Sequence, residues 1–223
     1  MISLDAVSHD YGGGALFRDV TVQVEPGSFY FLTGPSGAGK STFMKICYGE
    51  LKPSSGSVTL LKRDLAAMSR DDLAGVRERI GVVHQDCSFL DHLTLAQNVA
   101  LPLTATGRPI SGSDLDDLMG WVGLTDRADA KPPTLSGGER QRAALARAIV
   151  AGPSVLLADE PTGNLDWEMS QRLLMLIIEL NRMGTAVVIA THDLTLIRFA
   201  KAQVQARVMR IAGRKLQLAG AEL

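Results

Sequence analysis

Residues 34 to 41 read "GPSGAGKS", and they are preceded by the short apolar run "SFYFLT" (28–33) and followed by a helical pattern from Lys40 towards Gly49. A strand that ends in a glycine-rich turn and opens directly into a helix leaves few architectures available. It predicts a buried strand of a parallel sheet whose loop surrounds an anion with backbone N–H groups. Gly37, Ala38 and Gly39 are small enough for the backbone to close around a β-phosphate. Lys40 then reaches the β- and γ-phosphates, and the Ser41 hydroxyl supplies a ligand for Mg²⁺. Gly34, Pro35, Ser36 and Thr42 complete the loop around a nucleoside triphosphate.

The rest of the chain fits the same architecture. "RIGVVH" (79–84), "SVLLADE" (154–160) and "TAVVIATH" (185–192) are continuous apolar strands, two of them ending in polar residues at the carboxyl end, where ligands sit in open α/β sheets. "ISLDAV" and "VTVQVEPG" alternate instead, which predicts an antiparallel β-region beside the main core. Between Gln85 and Ser136, "TLAQNVALPL" and "SGSDLDDLMGWVGL" are helical with no strand between them, and "KPPT" closes the stretch. The expected fold is therefore α/β: a nucleotide-binding core with a mainly parallel sheet and an N-terminal antiparallel β-region, formed by residues 1–85 and 135–223. A helical subdomain at 86–134 is inserted into it.

Each strand end carries chemistry. Asp159 is placed to hold Mg²⁺ through its water shell, and Glu160 to take a proton from the attacking water. Two adjacent carboxylates closing a buried strand are poorly explained by packing, because each must be desolvated or paired. His192 ends the next strand, where it can touch a γ-phosphate; a lone His in such a place is otherwise a satisfied structural residue. Gln85 can contact both the metal shell and the bound water, and it lies where the helical insertion begins. Tyr11 can stack on the adenine of ATP, or simply fill the small β-region.

A second glycine-rich helix start, "LSGGERQR" (135–142), stands about a hundred residues after the first. Ser136, Gly137 and Gly138 offer a hydroxyl and free N–H groups at the positive end of a helix beginning near Gly138, with Glu139 next in line. One nucleotide loop and two anion sites imply that two chains share each nucleotide. A two-fold dimer would bury two ATP molecules, each between "GPSGAGKS" of one chain and "LSGGE" of the other.

The order Tyr11, "GPSGAGKS", Gln85, "LSGGERQR", "VLLADE", "NLD" and His192 resembles the ABC-type ATPase family over essentially the whole chain. The resemblance implies ATP-driven closure of a head-to-tail homodimer, hydrolysis that reopens it, and an integral membrane partner docked near Gln85 and the helical subdomain. It also implies that Asp166 lies across the dimer interface and communicates between the two sites. Four stretches, "GSFYFLTGPSGAGKST", "YGELKPSSG", "QDCSFLDHLTLAQNVALPL" and "LLADEPTGNLDWEMS", are similar to the members of that family that serve bacterial cell division. Those act through a membrane partner on peptidoglycan hydrolysis, beside cytoplasmic division proteins. ATPases of lipoprotein-release and macrolide-type exporters share "LADEPTGNLD" and are the alternative reading. Soluble relatives in DNA repair or translation usually carry long coiled-coil insertions or tandem units, and neither is visible here.

Composition limits the remaining possibilities. The 223 residues carry a net charge of −1, with 46% hydrophobic and 21% charged residues, an ordinary core-forming balance with no bulk signature of a nucleic-acid binder. The longest apolar run, "LLMLII" (173–178), is far short of a membrane span, and "MISLDAVSHDY" is not a signal peptide. The expected location is cytoplasmic, held at the inner face of the membrane through the partner. Cys47 and Cys87 form no CxxC pattern and are expected to be reduced thiols, Cys47 packed as a small apolar residue. From Leu194 to Ala221 no residue is acidic while six are basic, either a solvated edge or a surface facing a membrane or acidic partner. His84, where the family commonly has an aromatic residue, and Cys87 either tune the partner interface or have no role.

Overall fold

The computed structural model describes residues 1–163 and 165–219. Asn164 of "NLD" and residues 220–223, assigned above to the core, lie outside the described residues. Six strands form the central sheet in the order β10-β9-β3-β8-β7-β6. β3 (Phe29–Thr33), β6 (Ile80–Val83), β7 (Val155–Asp159), β8 (Ala186–Ala190) and β9 (Ala206–Ala212) are mutually parallel, and β10 (Lys215–Ala219) turns back antiparallel at the edge. A second, antiparallel sheet has the order β2-β1-β4-β5, from β1 (Ile2–Asp10), β2 (Ala15–Val24), β4 (Ser55–Leu60) and β5 (Arg63–Asp64).

The apolar runs are continuous because both faces of the central sheet are covered. Within β3, Tyr30 and Leu32 enter one core, shared with α1 (Lys40–Cys47) and the antiparallel sheet through Phe17, Phe43 and Ile46. Phe29 and Phe31 enter the other, against α5 (Gly137–Ile149), α6 (Trp167–Arg182) and α7 (Leu194–Lys201). β7 and β8 divide in the same alternating way, Leu157 and Val188 to the first core, Leu156 and Val187 to the second. α2 (Arg70–Arg77) precedes β6.

Between β6 and α5 lie only α3 (Leu95–Ala105), α4 (Gly112–Trp121) and two single helical turns. Their apolar residues Leu95, Val99, Met119, Val122 and Leu124 form a third core with Ala143 and Ala146 of α5. The same helix gives Ala144, Leu145 and Ile149 to the second core, so α5 couples the inserted helices to the sheet. Cys47 is fully buried, which pushes its thiol pKa up and leaves it inert; both cysteines are free thiols.

Candidate functional site

The carboxyl ends of β3, β7 and β8 converge on a cavity of about 700 Å³. Its lining includes Tyr11, Gly34, Pro35, Ser36, Gly37, Gly39, Lys40, Ser41, Thr42, Gln85, Asp159, Glu160 and His192. The structure thus brings together, at the carboxyl end of the sheet, residues separated by most of the sequence. A larger cleft of about 910 Å³ opens at the opposite ends of the strands, by Trp121, Ser154 and Thr185. It contains none of these groups, and phosphate chemistry belongs to the smaller cavity.

The phosphate loop is shaped by glycine where no other residue fits. Gly39, the N-cap of α1, has φ +98, and a Cβ there would lie 2.8 Å from the Leu16 side chain. At Gly34 a Cβ would stand 2.6 Å from the Ile211 carbonyl oxygen, so the loop is packed against β9. α1 has no side-chain cap and no acidic residue in its first turn, which leaves its N-terminal N–H groups and positive dipole end for an anion. Lys40 Nζ donates to the carbonyls of Gly34 (3.0 Å) and Pro35 (3.3 Å), spanning the loop it serves. Ala38 faces away, into a separate recess with Ile211 and Gly213.

Glu160 sits just past β7 with φ +45, a left-handed conformation that costs a residue with a side chain on the order of 1–3 kcal/mol. Its N–H still donates to Ala190 of β8 at 2.9 Å, so the sheet holds the turn in place. The carboxylate is thereby aimed at His192, whose Nδ1 lies 2.8 Å from Oε1. The Glu160 side chain is 12% exposed and that of His192 76%. Asp159 occupies the last ladder position, opposite Ala190, one residue before Glu160. Ser41, Gln85 and Asp159 are hard oxygen donors in the same cavity, the type of ligand Mg²⁺ takes.

The segment after Gln85 is fastened to α5. Arg140 donates to the Cys87 carbonyl at 3.0 Å and Arg147 to that of Ser88 at 2.7 Å, and both guanidinium groups lie over the Phe89 ring. Buried Asn98 of α3 holds both the N–H and the carbonyl of Leu90. Burial is the main reason the Cys87 thiol is shifted upward, and its Sγ lies 3.2 Å from Gln141 Oε1.

Ser136, Gly137, Gly138, Glu139 and Asp166 do not line the cavity. Ser136 caps α5, its hydroxyl accepting from the Glu139 N–H, while Glu139 Oε2 accepts from the Ser136 N–H at 2.7 Å. That backbone bond, with Arg127 Nε at 2.7 Å, brings the Glu139 pKa down to about 2. The helix therefore starts at Gly137, one residue earlier than its sequence suggests, and the carboxylate is engaged within its own chain. The N–H groups of Gly137 and Gly138, in the first turn, have no partner within the helix. Asp166 caps α6 by accepting from the Met169 N–H at 2.9 Å. Two further residues line the cavity without a signal in the motifs, Leu16 and Gly163. Leu16 is an unremarked aliphatic residue in β2, and only the folded hairpin brings it to the loop.

A nucleotide loop at a strand–helix junction, a paired carboxylate and histidine on neighbouring strands, and a capped helix start after a helical insertion define an ATP-hydrolysing cassette. The chain belongs to the ABC transporter family, whose description matches residues 17–163, and it is an ATP hydrolase. It is 44% identical over 202 residues to the cell division ATP-binding protein FtsE of Escherichia coli K12, covering 88% of this chain and 90% of that one. The protein of the same name from Bacillus subtilis is 40% identical over 207 residues, with 92% and 91% covered. Among solved structures, the dimeric post-hydrolysis state of the ATP-binding cassette MJ0796 bound to ADP and Pi superimposes with a TM-score of 0.89 at 30% identity, covering all of both chains. Among the described residues, no helix is long and apolar enough to cross a membrane.

Proposed function

We propose that this ATPase works as the nucleotide-driven half of a cell-division complex, transmitting conformational change to an FtsX-type integral membrane protein that controls peptidoglycan hydrolysis. The observation that carries the reading is the similarity to FtsE along nearly the whole of both chains, not only through the nucleotide motifs. In this reading the protein is peripheral to the inner face of the cytoplasmic membrane, held there by its partner.

Within one site, Lys40 and the loop N–H groups bind the β- and γ-phosphates of ATP, and Tyr11 stacks on adenine. Ser41, Gln85 and Asp159 would hold Mg²⁺, which offsets the phosphate charge when bound. Glu160 takes the proton of the attacking water, and His192 keeps that carboxylate oriented and meets the γ-phosphate. The second chain contributes Ser136, Gly137 and Gly138, with Asp166 near the same interface. Free N–H groups at the start of α5, together with the dimeric MJ0796 cassettes, support this arrangement.

The division into a core of 1–85 and 135–223 and a helical subdomain of 86–134 gives the machine its moving part. The separate apolar core of α3 and α4 supports that division. The membrane partner docks beside Gln85, where a groove of about 260 Å³ is lined by Arg77, His84, Pro102, Arg108 and Arg147. Movement of Gln85 there reaches the first turn of α5 through Arg140 and its last turn through Arg147. Cytoplasmic division proteins are further candidates for the assembly; no nucleic acid is required.

Two experiments test this. Capture from native membranes with the Glu160→Gln chain and ATP should recover a small membrane protein with few spans and an extracytoplasmic domain. Recovery of a substrate-release or exporter subunit instead would move the function to export. For the shared site, mixing a Ser136→Arg chain with a Lys40→Ala chain, each inactive alone, should restore up to about a quarter of wild-type ATPase, because random pairing leaves one intact site in half of the dimers. Absence of recovery at every mixing ratio would rule out composite sites.

A further inference from the structure

His9, the penultimate residue of strand β1 and two residues before Tyr11, is 6% exposed, and neither ring nitrogen has a hydrogen-bond partner. Buried polar atoms are seldom left unpaired, so aromatic contacts rather than hydrogen bonds hold this ring. Packing explains only one side of the ring. His9 pairs with Phe17 across the β1–β2 ladder, and the two rings lie 6.3 Å apart at 33°, which anchors His9 on the fully buried Phe17. On its other side the imidazole meets Tyr11 edge to face, with centroids 4.6 Å apart and planes at 82°.

Tyr11 is the residue that needs such a support. It is 65% exposed and follows the end of β1, and its hydroxyl lies 3.2 Å from Thr42 Oγ1, just after the phosphate loop. An exposed aromatic side chain ordinarily samples several rotamers and must be ordered when a base stacks on it. Here the hydroxyl is tied to α1 and the ring face or edge to a buried imidazole, so the ring is held before the nucleotide arrives. Tyr11 lines the nucleotide cavity and His9 does not, so His9 acts through Tyr11.

We propose that His9 is a positioning residue that fixes the Tyr11 ring as the platform for the adenine base. The proposal rests on the reading that Tyr11 stacks on the base. Its signature is selective: the base should lose affinity while the phosphates and the chemical step do not.

The test measures steady-state ATPase for wild type, His9→Ala, His9→Phe and Tyr11→Ala, with tripolyphosphate as a competitive inhibitor that has no base. His9→Ala should raise KM for ATP about three- to tenfold, the range of one aromatic pair, with kcat within about twofold. Its tripolyphosphate inhibition constant should match wild type, and His9→Phe, which keeps a flat edge against Tyr11, should restore KM. If His9→Ala does not fold, His9→Leu, which fills the volume without an aromatic edge, should show the same split. A wild-type KM in these variants beside a raised KM in Tyr11→Ala would overturn the role of His9 alone. Equal losses for ATP and tripolyphosphate would overturn it as well, as a general distortion of the loop. A wild-type KM in Tyr11→Ala would remove the stacking reading and the proposal together.

Discussion

Replacing Lys40 with alanine is expected to abolish ATP binding, with an affinity loss of about a hundredfold or more. Among the described residues lining the cavity, Lys40 is the only lysine or arginine, and its ammonium is held over the loop by the Gly34 and Pro35 carbonyls. A charge-assisted bond to phosphate is worth roughly 1.5–3 kcal/mol, and Lys40 is positioned to make more than one. Calorimetric titration of ATP checks the affinity, and thermal unfolding without nucleotide checks that the fold survives. Unchanged affinity in a folded variant would remove the site from residues 34–42.

Glu160→Gln is expected to lower turnover by about a hundredfold or more while ATP binding persists, because a neutral amide cannot accept the water proton. Glutamine has nearly the same shape, so the left-handed turn, the N–H to Ala190 and a hydrogen bond to His192 can all remain. Trapped before hydrolysis, the ATP-bound chain should elute as a dimer in size-exclusion chromatography, whereas wild type reverts as it consumes ATP. Turnover near wild type would take the role of base away from Glu160.

β7 and β8 were legible because their signals are local. A fully buried parallel strand shows as an apolar run, and "LLADE" or "VVIATH" states both the strand and the polar end that faces the ligand. The antiparallel β1 and β2 showed their alternation. What stayed hidden depends on distant partners. β9 carries Arg207 and Arg210 among Val208, Met209 and Ile211, which blurs its period, yet it is buried beside β3 because Arg207 reaches the Tyr30 hydroxyl and Arg210 stays exposed. β4 begins inside "KPSSG", whose composition reads as a turn. The candidate site was legible in the same sense: glycine, lysine and carboxylate spacing singled out residues that the fold gathers round one cavity. The Ser136–Glu139 capping box carries a local signature of its own, a serine followed three residues later by glutamate at a helix start. Leu16 and His9 left no sequence signal, since their roles come from facing residues on another element.

β3, the strand that delivers the phosphate loop, is hydrogen-bonded on one side to β8 and on the other to β9. Both neighbours are contributed more than 150 residues later, and Gly34 itself presses against Ile211. During synthesis the motif at 34–41 emerges early but has no sheet to rest in. Closing such long loops is slow, and the apolar β3 stays exposed in the meantime. The loop therefore reaches its packed form only once β9 has docked beside β3. Until then the nascent chain offers the cell a hydrophobic segment for chaperones to cover.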